Sequence, residues 1–467
     1  MTREELIQEL AKIVGREDVF ASRRDLLVYE YDSTPDIFEP EVVVFPSGAA
    51  EASAVMKLAR KEGMTVVPRG AGTNLSGGTL TLKGGIVLGA SRMKRVLQVD
   101  TADERVVVEP GVVNLDLQNL LAPMGYLYAP DPASQKVSTL GGNVGENSGG
   151  PHCLKYGVTT NHVHGLEAVL PNGDIVHTGG PCEDSPGYDL TGVIVASEGT
   201  MVFATSMTLR IMRVPEAIKT MLAIFDTLED AGSAVSDIIA AGIIPATLEI
   251  MDKKVTEAVE ASFHSGYPLD AEGVLIIELD GLKDGQERQA ERILDICRKN
   301  HVRDIKIAKT SEERNALWAG RKGAFGAVAR ISPSYSVQDG TVPRTRLSET
   351  LRRVVEIAEK HHVTVGNVAH AGDGNLHPLI MYNPKDPEEV ERVHKAGKDI
   401  LKLCVEMGGT LTGEHGIGIE KQDSMPLIFN DAEVENMALV KRAFDPGNML
   451  NPDKILPVKQ VAVGVGV

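Results

Sequence analysis

The chain has 467 residues, too many for one hydrophobic core, and this length predicts two or three domains. Apolar residues make up 42% and charged residues 24%, an ordinary globular composition that excludes wholesale disorder and fibrous repeats. A formal net charge of -17 repels nucleic-acid phosphates and anionic membranes, and we find no basic patch that would override it, so no nucleic-acid partner is expected.

The opening stretch, MTREELIQELAKIVGRED, predicts a charged amphipathic helix in an N-terminal segment, residues 1–39, and lacks the apolar core of a signal peptide. No later stretch reaches the roughly 18 apolar residues of a membrane span, and a cytoplasmic location is expected. From Pro40 to Pro68 an apolar run (VVVFP), a helical stretch (AAEASAVMKLARKEG) and a second apolar run (MTVVP) predict strand, helix and strand. Short β-rich runs (GGIVLGA, RVVVEPG, HGLEAVL, MVFATSMTLRIM) continue to about residue 213, with one helical stretch near Leu115 to Met124, so residues 40–215 predict an α+β domain. The boundary falls near Val214 to Ala217. Over residues 216–440, strands such as GVLIIELDG and DIKIAKT alternate with helices such as DGQERQAERILDICRKN, which predicts a second antiparallel or mixed sheet with helices on one side. A long amphipathic helix is expected from Arg344 to His362, and a last segment, residues 441–467, ends in the tail KQVAVGVGV. The four cysteines, Cys153, Cys182, Cys297 and Cys404, stand far apart, so no iron-sulfur cluster or zinc ribbon is expected within the chain. Electrons leaving one at a time would need an acceptor elsewhere.

Two glycine clusters carry the first chemical signal. In PRGAGTNLSGGT, Pro68 to Thr79, the glycines follow a strand directly and let backbone N–H groups approach an anion without a Cβ in the way. Leu75 stands where the dinucleotide fingerprint needs its third glycine, which disfavours a nicotinamide site. In PDPASQKVSTLGGNVGENSGG, Pro130 to Gly150, five more glycines alternate with Asn143, Asn147 and Ser148. One such cluster is usually a set of turns; two in one domain favour an anionic cofactor.

With ASEGT at Ala196 to Thr200, these motifs resemble the FAD-linked oxidases that have a PCMH-type (vanillyl-alcohol-oxidase-like) FAD domain, the family of D-lactate dehydrogenases and the flavin subunit of glycolate oxidase. The resemblance runs from about residue 40 to Lys454. It implies an α+β fold with a two-part FAD-binding domain, then a ferredoxin-like α+β cap (substrate) domain and a C-terminal helical segment that returns to the FAD domain. It also implies that Pro68, Arg69, Gly70, Ala71, Gly72, Thr73, Asn74, Gly77 and Gly78 hold the FAD pyrophosphate. Ser134, Thr139, Gly142 and Gly145 would line the flavin and ribityl chain, with Pro132, Asn147 and Ser148 from the same cluster, and Glu198 and Gly199 would lie against the adenosine half. The first loop offers Asn74 and no His or Cys for attachment, so non-covalent FAD is expected. In FDPGNMLNPDKIL, Asn451 would contribute a polar group near the ring by the same resemblance; a turn made by Pro446, Gly447 and Pro452 fits those residues equally.

The second half carries HAGDGNLH, His370 to His377, between two apolar runs, so a glycine-rich bend between strands is expected to turn both imidazoles toward one point. Two histidines within eight residues are a weak pattern alone. Downstream, GTLTGEHGIG offers Glu414 and His415 between glycines. Two imidazoles and a carboxylate suit Zn, Fe or Mn and leave positions for a bidentate substrate. The resemblance implies that His370, His377 and Glu414 bind this divalent metal, that His415 is the base, and that Arg321 in ALWAGRKGAFG pairs with the substrate carboxylate. The metal would acidify the substrate hydroxyl while neutral His415 removes its proton and hydride passes from C2 to flavin N5. Phe325, one turn beyond Arg321, suits a short apolar substrate side chain. Leu379 stands where several members carry a polar residue, which bears on substrate identity.

The expected function is therefore FAD-dependent, metal-assisted oxidation of a small D-2-hydroxy acid, with D-lactate ahead of glycolate. One alternative is a flavin subunit of an obligate complex with electron-transferring flavoprotein or an iron-sulfur subunit. Another is a non-redox alkyl-transferase of ether-lipid synthesis, which shares the FAD domain but would carry a different His cluster and a basic membrane-facing surface.

Overall fold

The first helix, α1 (Arg3–Val14), starts at a reciprocal cap: the Glu5 amide donates to the Thr2 hydroxyl (3.2 Å) and the Thr2 amide to the Glu5 carboxylate (2.8 Å). Its apolar stripe, Leu6, Leu10 and Val14, is buried. The computed structural model describes residues 1–182 and 186–457, and the chain in it forms two units. Unit 1 takes Met1–Gly149, Val158–Val214 and the chain from Glu414 onward; unit 2 takes Gly150–Gly157 and Pro215–Gly413. The KQVAVGVGV tail lies outside the described residues.

Unit 1 holds two main sheets. Strands β1 (Val19–Phe20), β2 (Val42–Val44), β3 (Val66–Arg69) and β4 (Ile86–Gly89) lie in the order β1-β2-β4-β3, with β2 and β3 parallel to β4. Between β2 and β3 runs α2 (Ala49–Glu62), the strand-helix-strand unit expected from Pro40 to Pro68. The second sheet is antiparallel, β5 (Val96–Asp100), β6 (Arg105–Val108), β7 (Val163–Val169), β8 (Ile175–Gly179) and β9 (Phe203–Arg210), in the order β5-β6-β9-β7-β8. Two helices, α3 (Asn114–Leu121) and α4 (Leu140–Glu146), join its core through Leu117, Leu121, Leu140 and Val144.

Unit 2 is built on one antiparallel sheet of seven strands: β10 (Ala217–Phe225), β11 (Thr247–Asp252), β12 (Gly273–Gly281), β13 (Asp304–Ile307), β14 (Ser334–Val337), β15 (Thr364–His370) and β16 (Asn375–Tyr382). Their order is β13-β10-β12-β11-β15-β16-β14. The first four strands thus follow the ferredoxin-like order, and the hairpin β15-β16 with β14 widens the sheet at the β11 edge. The connecting helices α5 (Leu228–Ala240) and α7 (Gln286–Lys299) bury Ala231, Val235 and Ile293 against one face, with α9 (Leu347–Lys360) beside them. Helices α6 (Lys253–Phe263) and α8 (Ser311–Ala327) cover the other face with Val255, Val259, Leu317 and Ala324. Helices on one side only were expected, and this is corrected by the strands themselves: Gly273 to Leu279 is buried without alternation, the pattern of a strand covered on both faces. The 20-residue helix α10 (Pro387–Glu406) packs on the α9 side through Val393, Ala396 and Ile400.

The return to unit 1 begins at Glu414, earlier than the residue 441 expected from sequence. The segment from Glu414 to Lys421 contains no helix or strand whose periodicity could mark the change. The last helix, α11 (Asp431–Phe444), leads to a bridge between Leu450 and Val66, where the Val66 amide donates to Met449 (3.0 Å) and the Asn451 amide to Val66 (2.7 Å). Among the described residues no helix is long and apolar enough to cross a membrane.

Cys297 and Cys404 are buried, and burial pushes both thiols up to about 12. Ellman's reagent is therefore expected to modify only the exposed Cys182 and the half-buried Cys153 in the native protein, and all four thiols after denaturation. Four reactive thiols in the native state would contradict this packing.

Candidate functional site

In unit 1 the two glycine loops meet at a half-open cavity. Pro68, Arg69, Gly70 and Gly78 reach it from the first loop, Gly142 and Gly145 from α4, and Glu198 and Gly199 from the ASEGT turn. The first loop approaches the second only because its glycines are bare: a Cβ at Gly70 would stand 2.3 Å from Thr139 Oγ1, and one at Gly78 2.9 Å from Asn74 Nδ2 and 3.0 Å from Glu146 Oε1. The ASEGT turn bonds to α4 through the Glu198 amide on Gly145 (2.8 Å) and the Ala196 amide on Val144 (3.1 Å). Such a glycine-lined space fits the elongated anionic FAD, because backbone N–H groups can approach it without a Cβ in the way.

The other residues named from sequence shape these loops. Arg69 donates to the Tyr31 carbonyl (2.8 Å), and Gly72, at φ +73°, leaves room for that guanidinium. Asn74 accepts from the Ser76 amide (2.9 Å) and the Gly78 amide (2.6 Å), folding the loop on itself with Ala71, Thr73 and Gly77. Thr139 caps α4, Asn147 ends it in a left-handed conformation, and the carbonyls of Pro132, Ser134 and Ser148 hold turns. Asn451 donates to Gly78 O (2.8 Å) and Glu198 O (2.7 Å), so it clamps two of the cavity's walls from behind.

Sequence reasoning missed Glu146, which lines the cavity. Its signal was available: it is the one charged residue among the glycines of GGNVGENSGG. Burial and the neighbouring Glu198 carboxylate hold the Glu146 carboxyl well above the ordinary range, against the pull of Lys454. Burial pushes the Lys454 ammonium down to about 7, although it donates to Gly78 O (2.8 Å) and Leu80 O (2.6 Å). Glu198 in turn accepts from the amides of Ile417 (2.7 Å) and Gly418 (2.8 Å), and Ser76 Oγ donates to the His415 carbonyl (3.0 Å). The backbone from the His415 carbonyl to Gly418 is thereby held, with Glu414 Oε1 3.6 Å from His415 Nε2.

In unit 2 the HAGDGNLH segment is the turn of the β15-β16 hairpin. Register sets His370 opposite Asn375 and His377 opposite Val368, which puts both imidazoles on one face of the sheet. Their ring centroids are 5.0 Å apart at 88°, with ligand nitrogens within 4.8 Å. Gly374 makes the turn possible, because a Cβ there would lie 2.0 Å from Val342 O. Opposite His370 on β11 stands Glu249, whose two oxygens lie 2.8 and 2.9 Å from His370 Nδ1. Arg321, on α8 and 2% exposed, brings Nη2 within 2.5 Å of Glu249. Burial alone would raise the Glu249 carboxyl; Arg321 and His370 reverse that and hold it below the ordinary range. On the other side of the pair, His377 Nδ1 is 3.9 Å from Asp339, which also accepts from Asn375 Nδ2 (2.9 Å), the Thr412 hydroxyl and the Gly413 amide (3.2 Å). Phe325 meets the His377 ring edge-on at 5.9 Å, and Leu379, Tyr335 and Met381 continue that apolar wall. Glu249 and Asp339 escaped the sequence reading because each lies far along the chain from the histidine it faces.

Two imidazoles with their own carboxylate neighbours form a donor set that fits a borderline divalent cation, and a buried arginine beside them fits a carboxylate. Residues 40–179 match the family described as FAD binding domain, and residues 214–455 match FAD linked oxidases, C-terminal domain. The glycolate oxidase subunit GlcD of Escherichia coli is 41% identical over 456 residues, 97% of this chain and 91% of that protein. The D-lactate dehydrogenase of Anaerostipes hadrus is 31% identical over 425 residues, 89% of each chain. In fold, the chain superposes on p-cresol methylhydroxylase with a TM-score of 0.82 at 16% identity, covering 96% of both chains.

Proposed function

The chain belongs to the FAD-linked oxidases, an FAD-dependent 2-hydroxy acid dehydrogenase of the glycolate oxidase and D-lactate dehydrogenase type, and we propose that it oxidises a small D-2-hydroxy acid with the help of a divalent metal. The observation that carries the reading is the β15-β16 hairpin, which sets His370 and His377 side by side next to the buried Arg321. His370 and His377, with Glu414, are the proposed ligands of Zn, Fe or Mn. Bound FAD supplies the hydride acceptor, and the cation supplies the Lewis acid that loosens the hydroxyl proton. Arg321 holds the substrate carboxylate, His415 accepts the hydroxyl proton, and the glycine loops carry FAD without a covalent bond.

Phe325, Leu379 and Tyr335 leave an apolar wall beside His377, which suits the hydrogen of glycolate or the methyl of D-lactate better than a second carboxylate. The identity to glycolate oxidase subunits puts glycolate level with D-lactate. Those relatives are named as subunits, which supports an electron acceptor in a partner protein, an iron-sulfur subunit or an electron-transferring flavoprotein. The test is a panel of D- and L-2-hydroxy acids with an artificial acceptor, with and without chelator. Glycolate or D-lactate should bleach the flavin anaerobically, and chelation should abolish turnover while FAD stays bound. A flavin that no 2-hydroxy acid reduces would sink the reading, and full activity after metal removal would sink its metal half.

A further inference from the structure

Glu249 is a buried carboxylate of unit 2 whose partners belong to the proposed site. It is 1% exposed, sits on an inner strand, and faces His370 across the β11-β15 ladder. Its acceptor capacity is spent: both oxygens reach His370 Nδ1, Oε2 also takes Arg321 Nη2, and Oε1 takes the Thr247 hydroxyl at 3.1 Å. A buried carboxylate is tolerated only with partners of this kind, and removal of any one leaves an uncompensated charge.

Two consequences follow for its partners. A carboxylate accepts, so a neutral His370 bonded to it through Nδ1 carries its proton there, which leaves Nε2 unprotonated. The same carboxylate holds Arg321 by Nη2, while Arg321 Nε is buried without a hydrogen-bond partner among the described residues. That N–H is a donor an incoming carboxylate can use.

We propose that Glu249 is a positioning residue that sets two groups at once, the tautomer of His370 and the orientation of Arg321, so that one side chain couples metal binding to substrate-carboxylate binding. The proposal rests on the metal-assisted reading above. Glu249 touches neither reacting group itself, since its oxygens are occupied and its charge would repel an anionic substrate.

The test uses the full-length FAD-loaded protein and the variants Glu249→Gln, which keeps shape but cannot serve both partners, and Glu249→Met, which removes the acceptor. Far-UV circular dichroism and the thermal unfolding midpoint report that each variant has folded, and FAD content that unit 1 is intact. Titration of metal-stripped protein with Zn should show a Kd roughly 10- to 100-fold weaker in either variant, the usual effect of losing a partner behind a metal ligand. KM for glycolate or D-lactate should rise about tenfold, with the flavin spectrum unchanged. Independently of metal, nitrogen NMR of histidine-labelled protein, with His370 assigned by its loss in His370→Gln, should show an Nδ1-protonated ring that becomes a tautomer mixture in Glu249→Met. If wild type binds no divalent cation, the metal reading fails while the tautomer measurement still decides the role of Glu249. An unaltered tautomer together with Zn affinity within twofold of wild type overturns the proposal. Should Glu249→Met not fold, Glu249→Gln decides it through Zn affinity and KM.

Discussion

His415→Asn should retain FAD and metal yet reduce its flavin roughly 100-fold more slowly or worse, the usual contribution of a general base. The substitution is clean because the loop is held by its backbone: Ser76 holds the His415 carbonyl, Glu198 holds the amides of Ile417 and Gly418, and the Ile419 amide donates to Ser76 O at 2.8 Å. None of these bonds involves the imidazole. Stopped-flow mixing with substrate under anaerobic conditions measures the step directly, and a rate equal to wild type would remove His415 from the mechanism. Glu414→Gln should show the complementary loss, with less bound metal by elemental analysis. Equal metal content in the two variants would separate Glu414 from the metal.

Gly70→Ala should yield protein with at least tenfold less flavin per chain, measured by visible absorbance against protein. The new Cβ would sit 2.3 Å from Thr139 Oγ1, so the first glycine loop and the N-terminal end of α4 must part, and both line the cavity. The effect has a specific cause that can be relieved. In Gly70→Ala/Thr139→Ala the hydroxyl is gone and the remaining contact, 3.6 Å to the Thr139 Cβ, is ordinary, so part of the flavin should return. The loss of a helix cap, about 1 kcal/mol, limits that recovery. Full flavin in the single variant would show that the two loops are not locked together as the contact implies.

What was legible in the sequence is what is local. The glycine loops announced themselves because every residue of a close backbone approach lies within a dozen positions, and the hairpin turn because His370 and His377 flank their own glycines. The Arg321 helix was legible as a helix, but its burial was not, since its partner Glu249 comes from a strand 72 residues earlier. Asp339 and Glu146 belong to the same class: charged residues whose importance lies in what faces them. The second layer of helices on the unit 2 sheet was hidden for a different reason. The stretch Val274–Ile277 is apolar on both faces of its strand, and a short apolar run records burial without saying how many layers provide it.

Unit 1 is interrupted by unit 2 in the order of translation. The loop from Gly77 to Leu80 is pinned by Asn451 and Lys454, and β3 is bridged by Leu450, all of which follow unit 2 in the chain. The N-terminal domain therefore cannot finish its flavin pocket as it emerges; it must wait, incomplete, while nearly two hundred residues of the other unit are made and folded. A chain truncated before Leu450 should therefore purify with less flavin than the full chain, as visible absorbance against protein would show.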